Sequence, residues 1–168
     1  MHKRKKINLY KRNKYRNYYL IEIAIIIALF IGLYPVLSVK TADMAKIKTD
    51  LAATINLDFV NAGDEKTLKN LYYINKNDIE DFISYAPKSN MEVEEILVLK
   101  TKEGTDISEI KSKIDKRLQK QGESFKNYRP EKYNIIENAV LEEEGQYLIF
   151  IVSENASAIK KIIKDNFK

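Results

Sequence analysis

The chain has 168 residues, a formal net charge of +5, no cysteine and a single histidine, His2. That length holds one domain of ordinary size and one membrane span. The missing cysteine excludes disulfides, thiolate metal sites, a cysteine nucleophile and a lipidated cysteine, and the body of the chain has no imidazole for a triad or a zinc site.

The positive charge is concentrated at the start. Residues 1–17 carry Lys3, Arg4, Lys5, Lys6, Lys11, Arg12, Lys14 and Arg16 and no acid, whereas residues 41–168 carry 20 Lys+Arg against 23 Asp+Glu. A nucleic-acid footprint needs its cations on a folded module, so none is expected here. Residues 1–17 read as a basic cytoplasmic tail. Residues 18–39, opening YYLIEIAIIIALFIGL, read as a transmembrane helix. At the helical rise they extend about 33 Å, enough for a hydrocarbon core of roughly 30 Å. Lys and Arg are retained on the cytoplasmic side, which places the N-terminus inside and the rest outside. Tyr18 and Tyr19 fall at the inner interface. Glu22 lies about one turn in, near the positive end of the helix dipole, and snorkels to water. The lipid bilayer is therefore the first expected partner. A signal peptide cut after Ser38 follows the same logic and is one alternative. The other is a pilin-like or pseudopilin-like subunit assembling through its apolar N-terminal helix. LIEIAIIIALFIGL resembles the head of such subunits, although Asn17 stands where their leaders end in glycine.

Residues 40–66 read as a juxtamembrane helix and linker, with Met44, Ile47, Leu51 and Ile55 at helical spacing, and residues 67–168 as an extracytoplasmic α+β domain. After the Gly63-Asp64 break, a short helix covers Thr67–Tyr73. Asp81–Ala86 and Glu94–Lys102 form a hairpin about Pro87-Lys88-Ser89-Asn90. Asp106 caps a helix over Ile107–Phe125, whose apolar stripe is Ile107, Ile110, Ile114, Leu118, Gln121 and Phe125. Lys111, Lys113, Lys116, Arg117 and Lys120 line its other side. They read as a solvated face, with contact to an anionic polymer or lipid headgroups as the alternative. Pro130 opens a short helix. Ala139–Glu143 and Gln146–Ser153 make a second hairpin about Glu144-Gly145. Asn155 caps a final helix that buries Ala156, Ile159, Ile163 and Phe167. The predicted fold is a four-stranded antiparallel sheet in ββα-ββα order with helices packed mainly on one face. Two strands, around Ile96–Leu99 and Tyr147–Val152, are apolar on both sides, and residues 43–73 are expected to cover the second face.

Three acidic clusters occur: Glu92/Glu94/Glu95, Asp78/Glu80/Asp81 and Glu142/Glu143/Glu144. Glu142 and Glu144 share a strand face, where paired carboxylates do acid–base work or hold a hard cation; solubility is the preferred reading. There is no Gly-rich phosphate loop, Ser-x-x-Lys or G-x-S-x-G. No catalytic, cofactor-binding or metal-binding residue is expected. In SFKNYRPEKY, Tyr128, Arg129 and Tyr133 are candidate partner contacts, because Arg and Tyr are enriched at interface hot spots. The alternative packs both tyrosines at the helix junction and pairs Arg129 with Glu131.

The EEILVLK strand, the RLQKQGESFKNYRPEKY helix end and the ENAVL and GQYLIFIVS strands carry a resemblance. From about Leu68 to the C-terminus the chain resembles a family of uncharacterised Firmicutes membrane-tethered proteins and lipoproteins with an extracytoplasmic domain of unknown function. The resemblance implies an extracytoplasmic domain on one N-terminal anchor and no assigned activity. The expectation is a single-pass membrane protein, cytoplasmic at its N-terminus. It displays a non-enzymatic binding or accessory domain to an envelope protein partner, without cofactor, small-molecule substrate or nucleic acid.

Overall fold

The computed structural model describes residues 9–37 and 40–168. The start of the basic tail and the Ser38 cleavage position lie outside the described residues. Helix α1 runs Leu9–Leu37, and within it Tyr15–Leu33 is long and apolar enough to cross a membrane. Ile23, Ile25, Ile26 and Ile31, which fall on different sides of the helix, are all exposed, so its Ile23–Leu33 stretch presents apolar side chains all round.

Lys40–Lys168 is a separate compact unit. Its elements are α2 (Met44–Thr54), β1 (Val60–Ala62), α3 (Glu65–Tyr72), a 3-10 turn at Lys76–Asp78, β2 (Ile79–Pro87), β3 (Glu95–Thr101), α4 (Ile107–Phe125), α5 (Pro130–Glu137), β4 (Val140–Glu144), β5 (Tyr147–Val152) and α6 (Ala156–Lys164). The sheet is antiparallel in the order β1-β2-β3-β5-β4. Both expected hairpins are present, and β3 pairs with β5 from Glu95↔Val152 to Lys100↔Tyr147, placing the two apolar strands side by side at the centre.

The four-stranded ββα-ββα sheet with helices mainly on one face is corrected on two counts. A fifth strand, β1, pairs its Val60–Ala62 with Pro87–Tyr85. Three residues with one buried side chain are too short to show a period of two, which is why the strand is silent in the sequence. Helices also pack on both faces. Leu97 and Leu99 of β3 and Leu148 and Phe150 of β5 meet Leu68 and Tyr72 of α3, Ile110 and Ile114 of α4, and Ile135 and Ile136 of α5. Ile96, Val98, Ile149 and Ile151 point the other way, onto Ile47 and Leu51 of α2 and Ile159 and Ile163 of α6. Strands apolar on both sides need cover on both sides. Residues from both ends of the unit supply the second layer.

Those ends are tied together. Thr41 and Lys168 exchange backbone hydrogen bonds at 3.3 and 2.9 Å. Asn166, on α6's end, accepts from Lys46 at 2.9 Å and donates to Asp50 at 3.1 Å, both on α2. Asn155 occupies the α6 N-cap position but makes no side-chain cap bond. Gly145 turns the β4–β5 hairpin at φ 60°, a conformation in which glycine carries no steric cost.

Candidate functional site: a basic groove over a buried ion pair

Two helices position the site. Asp64 caps α3 in a capping box with Thr67, accepting from its N–H at 3.0 Å. The other end of α3 closes on Tyr73 in the left-handed conformation, φ 57°, with Ile74 N–H reaching back to the Leu68 carbonyl at 3.1 Å. In α4, Asp106 Oδ1 accepts from Ser108 and Glu109 N–H groups at 2.9 and 3.4 Å. Ile110, Ile114 and Phe125 then seat the helix on the sheet.

A polar group is buried where α3 and α4 cross the start of β3. Glu95 alternates with Leu97 and Leu99 along the strand, so its side chain points into the core and is fully buried. Arg117 reaches down from α4 and donates from Nη2 to Glu95 Oε2 at 3.0 Å. Tyr72 lies beside Glu95 and Ser84. Gln121, one turn beyond Arg117 and 3% exposed, donates to the Val93 carbonyl at 3.4 Å. Tyr72 Oη, Ser84 Oγ, Glu95 Oε1, Arg117 Nε and Gln121 Oε1 are buried without a hydrogen-bond partner. A buried polar group left fully unpartnered costs about 1–3 kcal/mol. Here Tyr72 Oη lies close enough to Glu95 and Ser84 to offset part of that cost, and Arg117 Nε and Gln121 Oε1 bear it. Burial pushes the Glu95 carboxyl above its ordinary value, against the opposing pull of Arg117 and then the Tyr72 hydroxyl. Burial, and next the neighbouring Glu95 charge, push the Tyr72 phenol well above its own.

Over this group lies a groove. One cleft of ≈ 440 Å³ is lined by Pro87, Asn90, Gln121, Ser124 and Phe125 among others. A second, of ≈ 520 Å³, is lined by Asn70, Tyr73, Lys113 and Lys116 among others. Both include Leu71, Arg117 and Lys120, so the two clefts adjoin at these residues along the flank of α4 that faces α3. The solvated face expected from sequence is thus divided. Arg117 is drawn inward by Glu95 and its side chain is 19% exposed. Lys113 pairs with Glu109 at 2.8 Å, while Lys116 and Lys120 are exposed at the rim.

The candidate partner contacts part company. Tyr128 is 66% exposed. Arg129 pairs through Nε with Glu131 at 2.8 Å and reaches the Met91 carbonyl at 3.5 Å. Tyr133 packs into the core against Ile136 and its neighbours. Around them Lys132 pairs with Glu92 at 2.7 Å and stands over the Phe59 ring at 5.5 Å. Phe59 and Met91 are exposed, so Tyr128 and Arg129 share one end of the domain with two apolar side chains. On α1, Tyr18 and Tyr19 are exposed and Glu22 is exposed with them.

The acidic clusters are taken up by ion pairs and burial. Glu142 and Glu144 do share a face, and it is the one that meets α6, where they pair with Lys160 and Lys164. Lys40 also pairs with Glu144. Glu80 pairs with Lys100 at 2.7 Å. Among the described residues no group of three or more His, Cys, Asp or Glu is placed to hold a metal ion. The buried Glu95–Arg117 group was missed in sequence. Its signals were an acid on the apolar phase of a strand and a glutamine inside the α4 stripe.

A family described as a domain of unknown function (DUF4358) matches residues 53–153. No curated protein and no solved structure matches the chain.

Proposed function

The chain belongs to the DUF4358 family, and we propose that it is a single-pass membrane-anchored protein displaying a non-enzymatic binding domain outside the cytoplasm. The observation that carries this reading is the Ile23–Leu33 stretch of α1, apolar and exposed on every side. Such a helix is at home in lipid and unstable in water. The eight cations of residues 1–17, four of them within the start of α1, and the mildly acidic residues 41–168 support an orientation with the N-terminus in the cytoplasm. The role at the envelope is that of an accessory domain contacting a protein partner. The end bearing Phe59, Met91, Tyr128 and Arg129 supports it, because aromatic residues, Met and Arg are the residue types enriched in interface cores.

The absence of cysteine makes the topology directly measurable. Lys161→Cys, on the exposed side of α6, reacts with a membrane-impermeant maleimide in intact cells. Lys3→Cys reacts only after the membrane is opened. The reverse labelling pattern overturns the orientation. An intact mass lacking residues 1–38 replaces the anchor with a cleaved signal, and one lacking residues 1–17 replaces it with a trimmed pilin-like leader.

A further inference from the structure

We propose that the groove between α3 and α4 binds an extended polyanion, a linear chain bearing acid groups at regular intervals. Lys113, Lys116, Arg117 and Lys120 lie at steps of three and four residues on one flank of α4. At the helical rise they form a cationic row about 10 Å long, with a charge every 5 Å or so. Lys113 and Arg117 are paired with Glu109 and Glu95, so the uncompensated charges of the row are those of Lys116 and Lys120, a local positive spot on residues 41–168, which carry 20 Lys+Arg against 23 Asp+Glu.

Three observations separate this row from an ordinary solvated helix face. The cations line two adjoining clefts instead of standing on a convex surface. Arg117 is held in the groove wall by Glu95, which fixes the guanidinium before any ligand arrives. Gln121, nearly fully buried on the groove lining, carries an acceptor oxygen with no partner. A hydroxyl or amide of a polymer repeat supplies the donor it lacks. Tyr73 adds an aromatic platform at the other end. It is 70% exposed and held at positive φ, a strained placement of the kind that persists at binding sites. The concavity favours a threaded chain over a flat bilayer, which meets only the ridges. The length of the row favours a chain over a single small anion.

The test uses the full chain in neutral detergent, with polygalacturonate, a linear chain that carries one carboxylate and free hydroxyls on every sugar, as the probe. Saturable binding is expected, weakening as salt rises. The Lys116→Gln/Lys120→Gln variant weakens it by about tenfold and lowers the slope of log affinity against log salt by roughly two. Tyr73→Asn, which suits the left-handed cap but lacks the ring, loses affinity several-fold through the lost ring–sugar contact, while its unfolding midpoint holds or rises. Lys161→Gln on α6 removes one charge elsewhere and leaves affinity unchanged. Equal weakening by Lys161→Gln overturns the groove in favour of diffuse charge. Orthophosphate binding as tightly as the polymer reassigns the groove to a small anion. Capture by anionic phosphatidylglycerol vesicles with no polygalacturonate binding reassigns it to a membrane surface. Each of those three outcomes sinks the proposal.

Discussion

Arg117 and Glu95, 22 residues apart, meet at 3.0 Å between α4 and the start of β3, and the carboxylate they share is wholly buried. Removing either partner leaves a different remainder. Arg117→Met leaves a carboxylate with no route to water and is expected to cost about 3–5 kcal/mol. Glu95→Leu frees an arginine that already lines an open groove. It can turn outward, so the cost falls to roughly 1–2 kcal/mol. The double variant loses less than the sum of the two, because the hydrophobic pair no longer carries a buried charge. Urea unfolding of all four proteins closes the cycle. A sum that is simply additive would show that the pair does not interact.

Stability against pH should show two carboxylate contributions of opposite sign. Burial holds Glu95 above its ordinary value of 4.5. Its neutral form is the one the fold prefers, so its share of stability declines as pH rises from there through the folded value. Glu142 is held below that value by hydrogen bonding to Lys160 and then Lys164, and Glu144 by Lys164 and then Lys40. Their stabilisation is present above 4.5 and is lost as pH falls through the folded values. These groups are partly exposed, so their joint effect is about 1 kcal/mol. Unfolding midpoints measured between about pH 3 and pH 7 are expected to lose the acid-side fall in Glu142→Gln/Glu144→Gln and the opposite trend in Glu95→Gln. If both variants keep the wild-type profile, other groups control it.

Tyr128 and Tyr133 lie five positions apart and are expected to respond differently to truncation. Tyr133→Ala empties a packed site against Ile136 and should cost about 2–4 kcal/mol. Tyr128→Ala removes an exposed ring and should change stability by no more than about 0.5 kcal/mol. If this end of the domain contacts a partner, a photo-crosslinking residue at position 128 captures that protein in intact cells, and the yield drops in the Arg129→Ala background. Equal yields with and without Arg129 would remove it from the contact.

Gly63 shows how local sequence and tertiary contact divide the explanation. The Gly63-Asp64 pair marks a break and a helix start by composition alone. What composition does not show is that a Cβ at Gly63 would fall 2.5 Å from Ser84 Oγ and 2.9 Å from Thr67 Cγ2. The glycine is needed because β2 passes that close to the entry of α3.

The sequence by itself determined the apolar N-terminal helix, the α4 stripe, both hairpins and the α+β class. Each of these rests on periodicity, caps and turn residues that act over a few neighbours. It also showed that the Ile96–Leu99 and Tyr147–Val152 strands are apolar on both sides, which forces a covered sheet. Only the tertiary structure decided the five-strand order, the split of helices between the two faces, and which acid is buried. β1 is too short to carry a pattern, and it exists because Val60–Ala62 is held along Pro87–Tyr85. Glu92, Glu94 and Glu95 look alike in the chain. Glu92 pairs with Lys132 near the surface, whereas β3's phase and the reach of Arg117 from α4 bury Glu95 alone completely, and that pairing is fixed by contacts the local sequence does not contain.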